Sequence, residues 1–155
     1  MSEERGTRQG WRQVFTGEYR HSVDDKGRLA VPARFRAQLA GGAFVSRWID
    51  GCLAVFPKED WDALAAKVAG LPVADTGSRA FQRFLFSGAF EAELDRQGRV
   101  LVPAYLREWA GLEGEAVIVG SRDHAEIWAP ARWETVRREL EDPEALAQHL
   151  TGLGI

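Results

Sequence analysis

Apolar and polar residues alternate in several short segments of the chain, and this alternation predicts β-strands. Phe90, Ala92 and Leu94 alternate with charged neighbours, and a period of two is typical of a half-buried strand. The next strand follows a glycine-containing turn and ends at Pro103, which suits the first turn of a helix that Gly111 would close. Two further strands and an amphipathic helix complete the pattern. We therefore predict the order strand-strand-helix-strand-strand-helix.

The same pattern occurs twice, because segments 17–36 and 88–107 align without gaps at a constant offset of 71 residues. The first-copy positions that recur unchanged in the second copy are Gly17, Asp24, Gly27, Arg28, Val31, Pro32, Ala33 and Arg36. A half of about 60 residues would be marginally stable alone, whereas two halves can share one core. Closure into a barrel also leaves fewer exposed strand edges. The predicted fold is α+β and mainly β, a pseudo-twofold barrel of two tandem ββαββα repeats.

The repeats divide the chain into segments with different expected structures. The first repeat covers residues 17–60, and its last helix continues to about residue 70. The second repeat covers residues 88–132, and its last helix continues to about residue 140. We expect residues 71–87 to form a linker, whose part from Asp75 to Ser87 begins with a helical turn. We expect the N-terminal extension, residues 1–14, to be flexible or to add basic contacts, and the C-terminal tail, residues 141–155, to be a short helix or disordered.

Overall composition favours a cytoplasmic globular protein. No uncharged apolar stretch reaches about 18 residues, so we expect no contact with a membrane. Cys52 is the single cysteine and cannot form an internal disulfide, which favours a reducing cytoplasm. The sequence lacks a Gly-rich phosphate loop, a nucleophile elbow and a cluster of metal ligands. We therefore expect no enzyme, no small-molecule substrate, no cofactor and no metal.

The net charge of −3 argues mildly against nucleic-acid binding, since many DNA-binding domains are strongly basic. The charge is, however, unevenly distributed. Residues 1–36 hold eight basic and five acidic side chains, whereas residues 134–144 hold five acidic and two basic ones. A chain that is polarised in this way can still present one basic face.

Two turns with the pattern Asp-x-x-Gly-Arg, Asp24–Arg28 and Asp95–Arg99, resemble those of the MraZ family. The resemblance extends to the segments Trp48–Pro57, Arg79–Gly88 and Glu126–Trp128. It implies a transcriptional regulator of the bacterial division and cell-wall gene cluster, built as a double-split β-barrel from two AbrB-like (SpoVT-AbrB) swapped-hairpin domains. It also implies a homo-oligomeric ring, in the cytoplasm at the nucleoid, that binds double-stranded DNA at direct repeats upstream of its own operon and represses it.

The resemblance and the chemistry of these turns together predict which residues touch DNA. Arginine can donate two hydrogen bonds to guanine O6 and N7, so Arg28 and Arg99 would be the main base readers. The full predicted DNA-contacting set is Arg28, Arg99, Lys26, Arg96, Gln97 and Arg20. The residues predicted to orient the loops are Asp24, Asp95, Gly27 and Gly98. Carboxylates repel phosphate, and glycine permits the positive φ that hairpin turns require.

Other interpretations of the turns stay open at this point. A single Asp–Arg pair is more often a surface salt bridge that closes a turn and adds little stability. The loops of a ring-forming interaction protein would also suit a protein partner. His21 with Asp24 would suit a small hydrolase, although Ala92 replaces the histidine in the second copy.

Because the chain is acidic, one protomer would bind DNA weakly. Several copies on spaced repeats would raise the effective concentration of the loops at the DNA.

Overall fold

The computed structural model describes residues 14–155, which form eight strands and six α-helices. The strands are β1 (Glu18–Ser22), β2 (Arg28–Ala30), β3 (Ala43–Arg47), β4 (Leu53–Pro57), β5 (Phe90–Ala92), β6 (Arg99–Leu101), β7 (Glu115–Gly120) and β8 (Ala125–Trp128). The helices are α1 (Ala33–Leu39), α2 (Lys58–Ala69), α3 (Thr76–Gly88), α4 (Ala104–Ala110), α5 (Pro130–Glu141) and α6 (Pro143–Leu150). The predicted ββαββα order is therefore present in both halves. Residues 1–13 of the predicted extension lie outside the described part of the chain.

The two halves interlock through their strands. Six strands form one antiparallel sheet in the order β1-β7-β8-β4-β3-β5, and β2 pairs with β6 in a separate two-stranded ribbon. Strand β1 therefore pairs with the second half, β5 pairs with the first half, and the ribbon takes one strand from each. Each half thus supplies strands that pair with strands of the other half.

The two strands that flank the turn after β1 pair with each other only next to the turn. Its flanking strands share only the isolated bridge between Val23 and Leu29, and beyond it β1 and β2 separate into different sheets. Val23 and Leu29 are both buried in the core that the two halves share. The predicted tight turn is therefore present, and beyond this bridge the strands on either side of it pair with other strands.

Leu29 and Val100 lie at the centre of the ribbon and mark its approximate twofold axis. They are directly opposite each other in the β2–β6 register, and they are also equivalent positions at the 71-residue offset. Both are 1% exposed and belong to the core that the two halves share. Full burial of such a side chain stabilises a fold by about 1.5–3 kcal/mol. The predicted pseudo-twofold arrangement of two repeats is thus confirmed.

Helices cover the sheet and also occupy the linker and the tail. Trp61 of α2 and Trp133 of α5 occupy similar places in the two halves, and both are buried against the sheet. Helix α3 fills most of the predicted linker, and Asp75 caps its N-terminus by accepting a hydrogen bond from the Ser78 backbone. The α+β class is confirmed, and the helices contain more residues than the strands. No helix within residues 14–155 is long and apolar enough to cross a membrane.

Candidate nucleic-acid interface

The ribbon of β2 and β6 has one buried face and one outward face. Directly opposite residues of an antiparallel pair point to the same side, and successive residues point to opposite sides. Leu29 and Val100 point into the core. The outer face of the ribbon therefore consists of Arg28, Ala30, Arg99 and Leu101, which pair as Arg28 with Leu101 and Ala30 with Arg99.

The two predicted turns, loop 1 (Asp24–Arg28) and loop 2 (Asp95–Arg99), have the same internal hydrogen bonds. In loop 1 the Asp24 carboxylate accepts bonds from the backbone of Lys26 at 3.0 Å and of Arg28 at 2.8 Å, and from Arg28 Nε at 2.6 Å. In loop 2 Asp95 accepts bonds from the Gln97 backbone and the Arg99 backbone, both at 2.9 Å, and from Arg99 Nε at 2.8 Å. Each carboxylate thus closes its turn and holds the arginine that ends it.

These bonds keep both aspartates ionised. The backbone hydrogen bond from Arg28, aided by that residue's side chain, holds the pKa of Asp24 below its ordinary value. Arg99 lowers the pKa of Asp95 in the same way. Arg28 donates a hydrogen bond to the Asp24 carboxylate through Nε, so its two Nη groups have no hydrogen-bond partner within residues 14–155. They remain as a donor pair of the kind that recognises guanine.

The two loops lie against each other and against the opposite half. Gly27 and Gly98 have φ of 89° and 74°, so both predicted left-handed positions are confirmed. The Gly27 carbonyl accepts a hydrogen bond from the Val102 backbone at 2.8 Å, and Gly98 accepts one from Val31 at 3.0 Å. Arg99 Nη1 lies 3.6 Å from Asp24 Oδ2. The structure therefore brings both motifs into a single site.

Arg36 and Arg107 belong to this site, although sequence reasoning gave them no role. Arg107 Nε donates to the Val102 carbonyl at 2.9 Å, and Arg36 Nε donates to Val31 at 3.1 Å. A Cβ at Gly27 would lie 2.7 Å from Arg107 Nε, and one at Gly98 would overlap the Arg36 guanidinium. Each arginine thus packs on the loop of the other half. Their recurrence at the 71-residue offset was the available signal.

The remaining predicted contact residues fall into two groups. Lys26, Arg96 and Gln97 are exposed at the loop tips, beside the ribbon. Arg20 lies on β1, where its side chain pairs with Glu115 of β7 at 3.0 Å rather than with either loop. The basic residues of the site are Lys26, Arg28, Arg36, Arg96, Arg99 and Arg107, and its acidic residues are Asp24, Asp25 and Asp95. An acidic chain therefore carries one locally basic surface.

Interlocked halves, with two matched Asp-x-x-x-Arg loops on one basic ribbon, define a duplicated swapped-hairpin protein of the α+β class. Residues 14–84 and 85–151 match the family described as "MraZ protein, putative antitoxin-like". This chain belongs to the MraZ family, as the resemblance predicts.

Several relatives share most of their length with this chain. A protein of Moorella thermoacetica is 48% identical over 143 residues, which are 92% of this chain and 100% of that protein. A protein of a Roseiflexus species is 49% identical over 141 residues, which are 90% of this chain and 99% of that protein. A protein of Heliobacterium modesticaldum is 52% identical over 120 residues, which are 77% of this chain and 84% of that protein. All three are named "Transcriptional regulator MraZ", a name that denotes a regulator and no class of enzyme.

Proposed function

We propose that this protein is a sequence-specific DNA-binding regulator that represses its own division and cell-wall operon by binding direct repeats in the promoter. The observation that carries the proposal is the pair of Asp–Arg loops with the same internal hydrogen bonds on one basic ribbon. The names of the relatives support the regulatory part. The operon and the repressing action rest on the family resemblance of the motifs.

A two-stranded ribbon is narrow enough to enter the major groove of DNA, where base edges can be read. Arg28 and Arg99 would donate their Nη groups to guanine, while Lys26 and Arg96 would contact phosphates. Gln97 would donate to a phosphate or an adenine edge. Asp24 and Asp95 hold the two arginines in place before DNA arrives, so less side-chain freedom is lost on binding.

A ring of several chains fits the charge of the molecule. With a net charge of −3, one chain gains little from general attraction to DNA. Several ribbons on one homo-oligomer would bind successive direct repeats together, and each contact would raise the effective concentration for the next. We place this assembly in the cytoplasm, at the nucleoid.

A gel shift with the DNA immediately upstream of the protein's own gene tests the proposal. We expect binding that weakens steeply as salt rises, because phosphate contacts release counterions. Arg28→Ala/Arg99→Ala should weaken binding by about tenfold or more, since each bidentate arginine–guanine contact contributes about 1–3 kcal/mol of discrimination. Arg83→Ala/Arg138→Ala is the matched control, because it removes the same charge from exposed helix positions.

The possible results separate the parts of the proposal. A folded Arg28→Ala/Arg99→Ala variant that binds as tightly as the wild type would show that the loops do not read the DNA. A wild-type protein without preference over unrelated DNA would contradict the regulatory proposal itself. That second result would favour the alternative, a ring-forming module whose loops bind a protein partner.

A further inference from the structure

Leu101 is an exposed apolar residue in the middle of the basic site. Its side chain is 42% exposed on the outer face of the ribbon, although the neighbouring Val100 and Val102 are fully buried. Its direct cross-strand partner is Arg28, and Arg99 lies two residues before it on the same face. The protein thus leaves a large apolar group in contact with water between its two principal arginines.

The surroundings of Leu101 indicate what covers it. Two of the three other residues on the outer face of the ribbon, Arg28 and Arg99, are basic, and the two loop aspartates are already paired with these arginines. Charge complementarity therefore favours a polyanion over an apolar protein surface. Duplex DNA is a polyanion that also presents an apolar group, because the C5-methyl group of thymine projects into the major groove.

We propose that Leu101 is a specificity-determining residue that packs against a thymine methyl group in the major groove, beside the base that Arg28 contacts. This inference rests on the proposed function and names one base within the bound sequence. The equivalent residue of the other strand is Ala30, whose single methyl group reaches less far. The leucine therefore belongs to one half of the ribbon only.

The test removes the methyl group without altering the hydrogen-bonding groups or the phosphates. Two versions of the upstream duplex are compared, one with thymine and one with deoxyuridine in its place, for the wild type and for Leu101→Ala. The wild type should bind the deoxyuridine duplex about fourfold more weakly for each contacted methyl group, the ratio that follows from one buried carbon. Leu101→Ala should bind the thymine duplex more weakly and should distinguish the two duplexes much less.

Ile49→Ala is the matched control, because Ile49 is also an exposed large apolar residue but lies in the turn between β3 and β4. It should retain the wild-type preference for thymine. Circular dichroism should show equal folding of all three proteins, since residue 101 is at the surface.

Each outcome has a definite meaning. Equal wild-type affinity for both duplexes, with binding still dependent on Arg28 and Arg99, would overturn the inference about Leu101 and leave the proposed function standing. The same thymine preference in Leu101→Ala as in the wild type would also overturn it. A change in oligomer mass with an unaltered thymine preference would instead assign Leu101 to contact with another protein chain. Absence of any sequence-specific binding would overturn both proposals.

Discussion

Each loop aspartate accepts three hydrogen bonds, and this distinguishes it from an ordinary surface ion pair. An exposed ion pair alone contributes about 0–1 kcal/mol to stability. Asp24 also fixes two backbone amides of its own loop, so it sets both the turn and the direction of the Arg28 side chain. The salt bridge that a single motif would suggest is present, and it serves to position the arginine.

His124 shows a comparable use of charge away from the two loops. Its ring stacks on Phe56 at 4.6 Å, its Nδ1 lies 2.7 Å from Asp123, and its Nε2 lies 3.8 Å from Glu126. Burial lowers the pKa of His124, but the carboxylates of Glu126 and Asp123 more than offset this and hold it above its ordinary value. Asp60 on α2 faces the same cluster, and burial raises its pKa.

The stability of the fold should therefore depend on pH through His124. A raised pKa means that protonation stabilises the folded state, fully below the unfolded pKa and no longer once pH exceeds the folded pKa. His124→Gln cannot be protonated, so its Tm should lie further below the wild-type Tm at about pH 5.5 than at about pH 8.5. Thermal unfolding of both proteins at the two pH values measures this. A Tm difference that stays constant with pH would contradict it.

At the scale of elements, the ribbon and its loops pack together as one unit. Loop 1 is held by the backbone of Val102 and the side chain of Arg107, both from the second half, and loop 2 is held by Val31 and Arg36 from the first. The spacing between the two loops is consequently fixed by packing within the chain. Binding DNA should require little rearrangement of the backbone.

Gly27 tests this close packing. A Cβ there would lie 2.6 Å from the Val102 carbonyl oxygen, in backbone that already has a φ of 89°. Gly51 is the matched control, because its φ is 85° but the nearest atom to its Cβ would be 3.6 Å away. Gly51→Ala should cost about 1–2 kcal/mol of unfolding free energy from the left-handed backbone, and Gly27→Ala should cost clearly more. Urea unfolding compares them, and equal losses would mean that the loop is not tightly docked.

The elements themselves were predictable from sequence because their signals are local. Alternation, Pro103 and the glycines placed the strands, turns and helices of both repeats near their observed positions. The pairing of β1 with β7 was not evident from the pattern, since residues almost a hundred positions apart decide it. For the same reason, the repeat showed that Arg36 recurs in the second copy but did not show that it packs on Gly98 of the other half.

At the scale of the whole molecule, the interlocked sheet makes the halves mutually dependent. Without the second half, β1 and β2 lose the strands with which they pair, and β4 loses β8. The unpaired edges would expose backbone groups and apolar residues of the shared core. The first half can regain similar pairing only from another copy of itself, because the two halves are related by the pseudo-twofold axis.

Residues 14–84 produced alone should therefore be either unfolded or dimeric. Light scattering coupled to size-exclusion chromatography would give the mass, and circular dichroism would show whether the dimer is folded. Residues 14–155 serve as the intact control. A folded monomer of residues 14–84 would contradict the view that the exchanged strands hold the halves together.

The two strands of the ribbon carry different side chains on its outer face, and this difference gives the ribbon a direction. A half-turn about the axis through Leu29 and Val100 exchanges Arg28 with Arg99, but it also exchanges Ala30 with Leu101. On the proposed binding mode, the two ends of the ribbon would therefore differ along the groove, even though the arginines are nearly symmetric. Such a chain would fit its target in one orientation along the double helix, and chains related by rotation around a ring would all point the same way.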